Sequence, residues 1–214
     1  MARYHHAYAL DDASYLAAMD SLWDDDPASR TEKLWAAARE TYRANSGNPV
    51  YNDMRVDDTW LALDDEADQT GEWALVMLAP YLTAIGSLSS SLASGFVEIE
   101  EWGMSNPRWR KLTGRLVRGD SIRLLFSQSP WWTVLGEARY IEQSCGWLSR
   151  SDCVRIRDDL ATLVQGRAGS AGIGQDLPPD DSVPERLSVA LRDATAMIGS
   201  ATRAHRSILI AYED

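Results

Sequence analysis

The chain has 214 residues, with 32 acidic against 21 basic side chains and a formal net charge of −11. That balance argues against nucleic-acid phosphate or an anionic membrane surface as partner, and it suits a basic protein. Hydrophobic residues at 45% and charged residues at 25% are ordinary globular values, and the length is enough for a core without disulfide staples.

Two cysteines, Cys145 and Cys153, make no disulfide framework. The N-terminal stretch MARYHHAYALDDA lacks the apolar run of a signal peptide, so a reducing cytoplasm is expected. Only Lys33 and Lys111 are lysine among the basic residues, a bias typical of a GC-rich bacterial genome. Nine Trp stand against two Phe. Each Trp brings a large apolar area and an indole N–H that needs an acceptor.

Residues 3–10, RYHHAYAL, read as a short strand. Asp11 or Asp12 caps a helix to about Leu22, with Tyr15, Leu16, Met19 and Leu22 on one face. Residues 23–27, WDDDP, break it. Ser29-Arg30-Thr31-Glu32 fits a capping box, which opens a helix to about Ala44 with Leu34, Trp35, Ala38 and Tyr42 inward. Asn45-Ser46-Gly47-Asn48-Pro49 supplies turn chemistry, and a short helix over 57–68 follows.

Residues 73–97 carry no charge and are flanked by Glu72 and by Glu98, Glu100 and Glu101. The serines of the second half, the breaks at Pro80, Gly86 and Gly95 and the acidic flanks argue against a membrane span. The stretch reads as a central buried helix, kinked or restarted near Ala79, with Trp73, Leu75, Val76, Leu78, Leu82, Ile85, Leu88 and Leu92 in the core.

Residues 96–102, FVEIEEW, alternate as a strand. Asn106-Pro107 starts a helix to Gly119 that carries a basic cluster, Arg108, Arg110, Lys111, Arg115 and Arg118. Residues 121–130 read as strand or loop. Ser149-Arg150-Ser151-Asp152 resembles a capping box with Asp for Glu, opening a helix to about Val164. Residues 166–184 form a Gly- and Pro-rich surface linker, residues 185–204 a last helix, and SILIAY over 207–212 a buried strand. The predicted architecture is α+β: one helix-dominated domain over 1–214, built around the central apolar helix, with a small sheet that includes the N- and C-terminal strands and the Phe96 segment.

Trp109 followed by Leu112-Thr113-Gly114, then Gly136-Glu137-Ala138-Arg139-Tyr140, then Leu148 to Val154 opening a helix, together resemble the YfbM-like bacterial proteins. The resemblance covers the second half of the chain. Residues 141–147 separate pieces that such proteins keep nearly adjacent. It implies an α+β fold and no chemistry.

Asp64-Asp65-Glu66-Ala67-Asp68 is a literal DDxxD, the pattern by which terpene and prenyl-transfer enzymes hold magnesium. On a helix Asp64 and Asp68 share one face. The second metal motif of those enzymes is missing, and a solvated acidic helix end accounts for the run. His5 and His6 are adjacent on a strand and face opposite ways; His6 and His205 could meet if the two termini pair. Gly166, Gly169, Gly172 and Gly174 lack the Gly-Lys-Ser/Thr of a phosphate loop.

The first expectation is therefore a binding module without catalysis or cofactor, in the manner of an immunity or antitoxin-like protein. It would engage a basic protein through Trp23, Asp24, Asp25, Asp26, Trp60 and Trp102, aromatic anchors ringed by charge. A small metal-assisted enzyme using Asp64, Asp65 and Asp68 is the second reading. A subunit of a larger assembly, touching through Trp131-Trp132, is the third. Oligomeric state stays open.

Overall fold

The computed structural model describes residues 4–54, 56, 58–61, 69–85, 114–116, 119–135, 145–168 and 185–213. Within them a five-stranded antiparallel sheet is flanked by helices on both faces. Its strands are β1 (Tyr4–Leu10), β2 (Leu82–Ala84), β3 (Asp120–Ser121), β4 (Cys145–Leu148) and β5 (Ser207–Glu213). The order across the sheet is β2-β1-β5-β4-β3, so the two terminal strands lie side by side in its middle. They pair in full, from Tyr4 opposite Glu213 to Leu10 opposite Ser207.

Strand periodicity then sorts the side chains. Tyr8, Leu10, Leu209, Ala211 and Cys145 face one way, into a core with Tyr15, Met19, Leu34, Ala38, Tyr51, Trp73, Leu75 and Phe126. That layer is made by α1 (Asp12–Ser21), α2 (Pro27–Asn45), α3 (Pro49–Asp53), α4 (Gln69–Val76) and the short α5 (Trp132–Leu135). Ala7, Ala9, Leu148, Ile208 and Ile210 alternate to the opposite face, which α6 (Arg150–Ala168) and α7 (Glu185–Arg203) cover with buried side chains such as Ile156, Leu160, Ala194 and Ile198.

The helix starts follow from local chemistry. Asp11 caps α1 by accepting from the Ser14 N–H. Ser149 caps α6: its hydroxyl accepts from the Asp152 N–H at 3.1 Å and donates to the Asp152 carboxylate. That closes the expected box by a variant route, since the acid grips the serine hydroxyl. For α2 the expectation shifts. Its cap is Asp26, whose carboxylate accepts from the Ser29 N–H at 2.9 Å, with Pro27 in the first turn. An Asp-Pro start outcompetes a serine three residues on, because proline presets φ and needs no N–H partner.

In the described part of the uncharged stretch, residues 73–85, the helix is shorter than expected. α4 ends at Val76, a 3₁₀ turn at Ala79–Tyr81 restarts the chain with Pro80 in its first turn, and Leu82–Ala84 is a strand. Trp73, Leu75, Val76 and Leu78 are buried as expected, but Leu82 and Ile85 are only half-buried. Proline removes the N–H that would carry the helix onward, and the next residues pair with β1 instead.

Asn48 caps α3, which starts at the last residue of the expected 45–49 turn and runs into a stretch with no expected element, and residues 58–61 form a 3₁₀ turn within the helix expected over 57–68. β4, at Cys145–Leu148, is a strand that the sequence does not signal. Residues 121–130 begin as the end of β3 and continue as a 3₁₀ helix over Ile122–Phe126. α6 runs on to Ala168, taking the first residues of the expected 166–184 linker. The Phe96 segment, the basic cluster apart from Arg115, and residues 169–184 lie outside the described residues. No helix among the described residues is long and apolar enough to cross a membrane.

Gly119 is one place where a glycine is required. Its φ is +64°, and a Cβ there would stand 2.7 Å from the Trp147 nitrogen of the paired strand.

Candidate functional site

At the end of α1 the chain turns through Trp23-Asp24-Asp25-Asp26 into α2, and this corner gathers much of the chemistry that can be described. The Asp24 carboxylate accepts from Lys33 Nζ at 2.6 Å, from the Ser29 hydroxyl at 2.8 Å and from the Asp26 N–H at 3.0 Å. The Lys33 bond first, then the Asp26 N–H and the Ser29 hydroxyl, hold the Asp24 carboxyl well below the usual range. Arg30 reaches the Asp24 carbonyl at 3.1 Å, and its guanidinium lies over the Trp23 ring, 4.5 Å from the centroid. On the other side Trp23 meets Trp131 edge to face at 5.4 Å, and its indole N–H donates to the exposed Asp25 at 3.2 Å.

Trp131 anchors this corner from below. It is fully buried, and its indole N–H donates to the Met19 carbonyl at 2.8 Å. Beside it the Ser129 hydroxyl donates to Asp20. The next residue, Trp132, is exposed, as is Leu124. The two tryptophans suggested together as a contact surface thus divide: one is core and one is surface.

Trp60 has a different setting. It is half-buried on the 3₁₀ turn, where its carbonyl accepts the Trp73 indole N–H at 2.8 Å, while the neighbouring Leu61 carbonyl accepts the Trp35 indole N–H at 3.0 Å. Trp60 is a packing residue against α2 and α4, tied to other neighbours than Trp23 is. Trp102 and the carboxylates Asp64, Asp65 and Asp68 lie outside the described residues. Among the described residues no group of three His, Cys, Asp or Glu is placed to hold a metal ion.

A second polar cluster joins residues that the sequence does not bring together. The Tyr8 hydroxyl donates to Asp53 Oδ2, and His6 Nδ1 lies 3.4 Å from the same oxygen. His6 and Tyr8 share a face of β1, and α3 brings Asp53 over them. The Asn48-Pro49 pair, a helix start like Asp26-Pro27, was the available signal for α3. His205 does not join this cluster. Leu10 pairs with Ser207 and His6 with Ala211, so His205 falls beyond the opposite end of the strand pair.

Both cysteines are buried, and neither is in a disulfide. Burial pushes Cys145 and Cys153 up to about 12, which makes them poor nucleophiles. Arg115, the described member of the basic cluster, bridges Asp120 at 3.2 Å and Asp152 at 2.9 Å.

No family model, curated protein or solved structure matches this chain. The residues alone carry the functional argument.

Proposed function

We propose that this chain is a non-enzymatic binding protein whose acidic corner around Trp23 engages a basic protein, in the manner of an immunity or antitoxin-like partner. The observation that supports the reading is the Trp23 setting: a half-buried indole fixed between Arg30 and Trp131, with the exposed carboxylates of Asp20, Asp25 and Asp26 around it. A pre-positioned aromatic loses little side-chain freedom on binding, and surrounding charge steers a cationic partner. The net charge of −11 acts in the same direction over longer range.

Two buried cysteines that form no disulfide suit a reducing compartment such as the bacterial cytoplasm. The YfbM-like resemblance belongs to this proposal as a statement about fold, since it brings no activity with it.

The test is capture of a basic protein by the immobilised chain at low and at high salt, with the captured protein then purified and titrated. Trp23→Ala and Asp25→Asn weaken that binding, and salt weakens it further. Asp25 is the better probe because Asp24 and Asp26 also hold the start of α2. Capture that ignores salt and both substitutions sinks the proposal.

A further inference from the structure

We propose that the outer edge of β2 takes an extended, uncharged polypeptide segment of another protein, which adds to the sheet as a further strand. Among the described residues β2 is an edge of the sheet, with Tyr8 opposite Ala84, Ala9 opposite Thr83 and Leu10 opposite Leu82. The Ile85 N–H donates to the Ala7 carbonyl at 3.4 Å, and the Asp11 N–H to the Tyr81 carbonyl at 3.0 Å. Antiparallel alternation therefore turns the main-chain groups of residues 81, 83 and 85 toward β1, and those of Leu82 and Ala84 away from it. The Leu82 N–H is satisfied locally by the Ala79 carbonyl. The Leu82 carbonyl and both main-chain groups of Ala84 are left facing outward, with no partner among the described residues.

Many edges are blunt by design, guarded by charge, proline or a bulge. This one carries none of these within Leu82–Ala84, and Thr83 and Ala84 are exposed. A groove of about 550 Å³ runs beside it, lined by Tyr8, by Asn45 at the end of α2 and by Asn48 at the start of α3. Among the described residues no charged side chain lines the groove, although 53 of the 214 residues are charged.

These features select the occupant. A donor and two acceptors on alternate residues match a polypeptide main chain in β-conformation, and the uncharged groove suits small neutral side chains. A second copy of this chain is disfavoured, because two bodies of charge −11 would meet across a short edge that offers no compensating cation.

The site is separate from the Trp23 corner, so it can be tested alone. The probe is a capped, uncharged peptide of alternating valine and threonine, titrated into the full chain at millimolar concentration and followed by amide NMR. The expected result is a saturable shift at Leu82, Thr83 and Ala84 and roughly tenfold slower hydrogen exchange at the Ala84 amide. Ala84→Pro removes the outward donor without touching the ladder to β1, and it abolishes the shift. Ala84→Lys keeps the donor but puts a charge and a long side chain at the groove, and it also abolishes the shift, so the result does not depend on the proline variant folding. The proposal is overturned if the peptide leaves Ala84 unmoved or if both variants bind like the parent. It is also overturned if light scattering finds a dimer whose Ala84 amide is already protected without peptide.

Discussion

Asp24 shows how much of the acidic corner is committed to the chain's own structure. Its carboxylate accepts from Lys33, Ser29 and the Asp26 backbone, and each bond favours the ionised form. A carboxyl depressed in the fold adds stability above its unfolded pKa and loses that contribution as pH falls through the acid range. Lys33 is the largest cause, so Lys33→Ala raises the Asp24 titration midpoint toward the ordinary aspartate value. Carboxyl-carbon NMR reads this directly, and an unmoved midpoint would show that the ion pair does not form in solution.

The thiols work in the opposite sense. Cys145 and Cys153 rise from an ordinary value of 9.0 to about 12 by burial, and Tyr51 is pushed up to about 12, first by burial and then by Tyr42. Groups raised in the fold keep their contribution below the unfolded pKa. Between about pH 9 and 12 the unfolded chain ionises first, and stability falls. The melting temperature therefore drops across that window, and a thiol reagent near neutral pH labels neither cysteine until denaturant opens the core. Labelling of the native chain at the unfolded rate would contradict the burial of both.

Between elements, three indole N–H groups tie segments that are distant in sequence. Trp35 and Trp73 hold the 3₁₀ turn of residues 58–61 by its carbonyls, and Trp131 holds the end of α1. The tryptophan excess was legible as a demand for acceptors; which carbonyls would answer was not, because that depends on how α1, α2 and α5 pack. The same limit applies to the candidate site. Trp23 and Asp24 to Asp26 could be singled out from an aromatic beside three acids, but Arg30 and Trp131, which set the Trp23 ring, could not. Caps were more legible, since they are local: the Asp11 and Ser149 starts hold, and the Ser29 start moves to Asp26. That shift has a measurable consequence. Asp26→Ala removes the cap of α2 and costs about 1 kcal/mol in urea denaturation, whereas Ser29→Ala leaves the Asp26 cap in place and removes only a bond to Asp24.

For the whole molecule, the sheet order explains which strands the sequence revealed. β1 and β5 stand out as a long aromatic-rich run and a β-branched apolar run, and these two make the sheet's central pair. β2, β3 and β4 are two to four residues long, too short to display a period. β2 and β4 take their place by pairing with β1 and β5, so they are legible only once that pair exists. The consequence for folding is strong. β5 supplies Leu209 and Ala211 to one core and Ile208 and Ile210 to the other, all buried, and it is the strand through which β4 and β3 join β1. Ending the chain after Arg206 separates the sheet into a β1–β2 pair and a β3–β4 pair, and a two-stranded pair has little stability of its own. The truncated chain should lose its cooperative thermal transition and its dispersed amide spectrum. A truncation that keeps both would mean that the two helical layers hold together without the terminal pair. A separately synthesised 207–213 peptide offers the converse measurement: if that strand is what joins the two halves, adding it to the truncated chain restores the dispersed spectrum in proportion to the peptide bound.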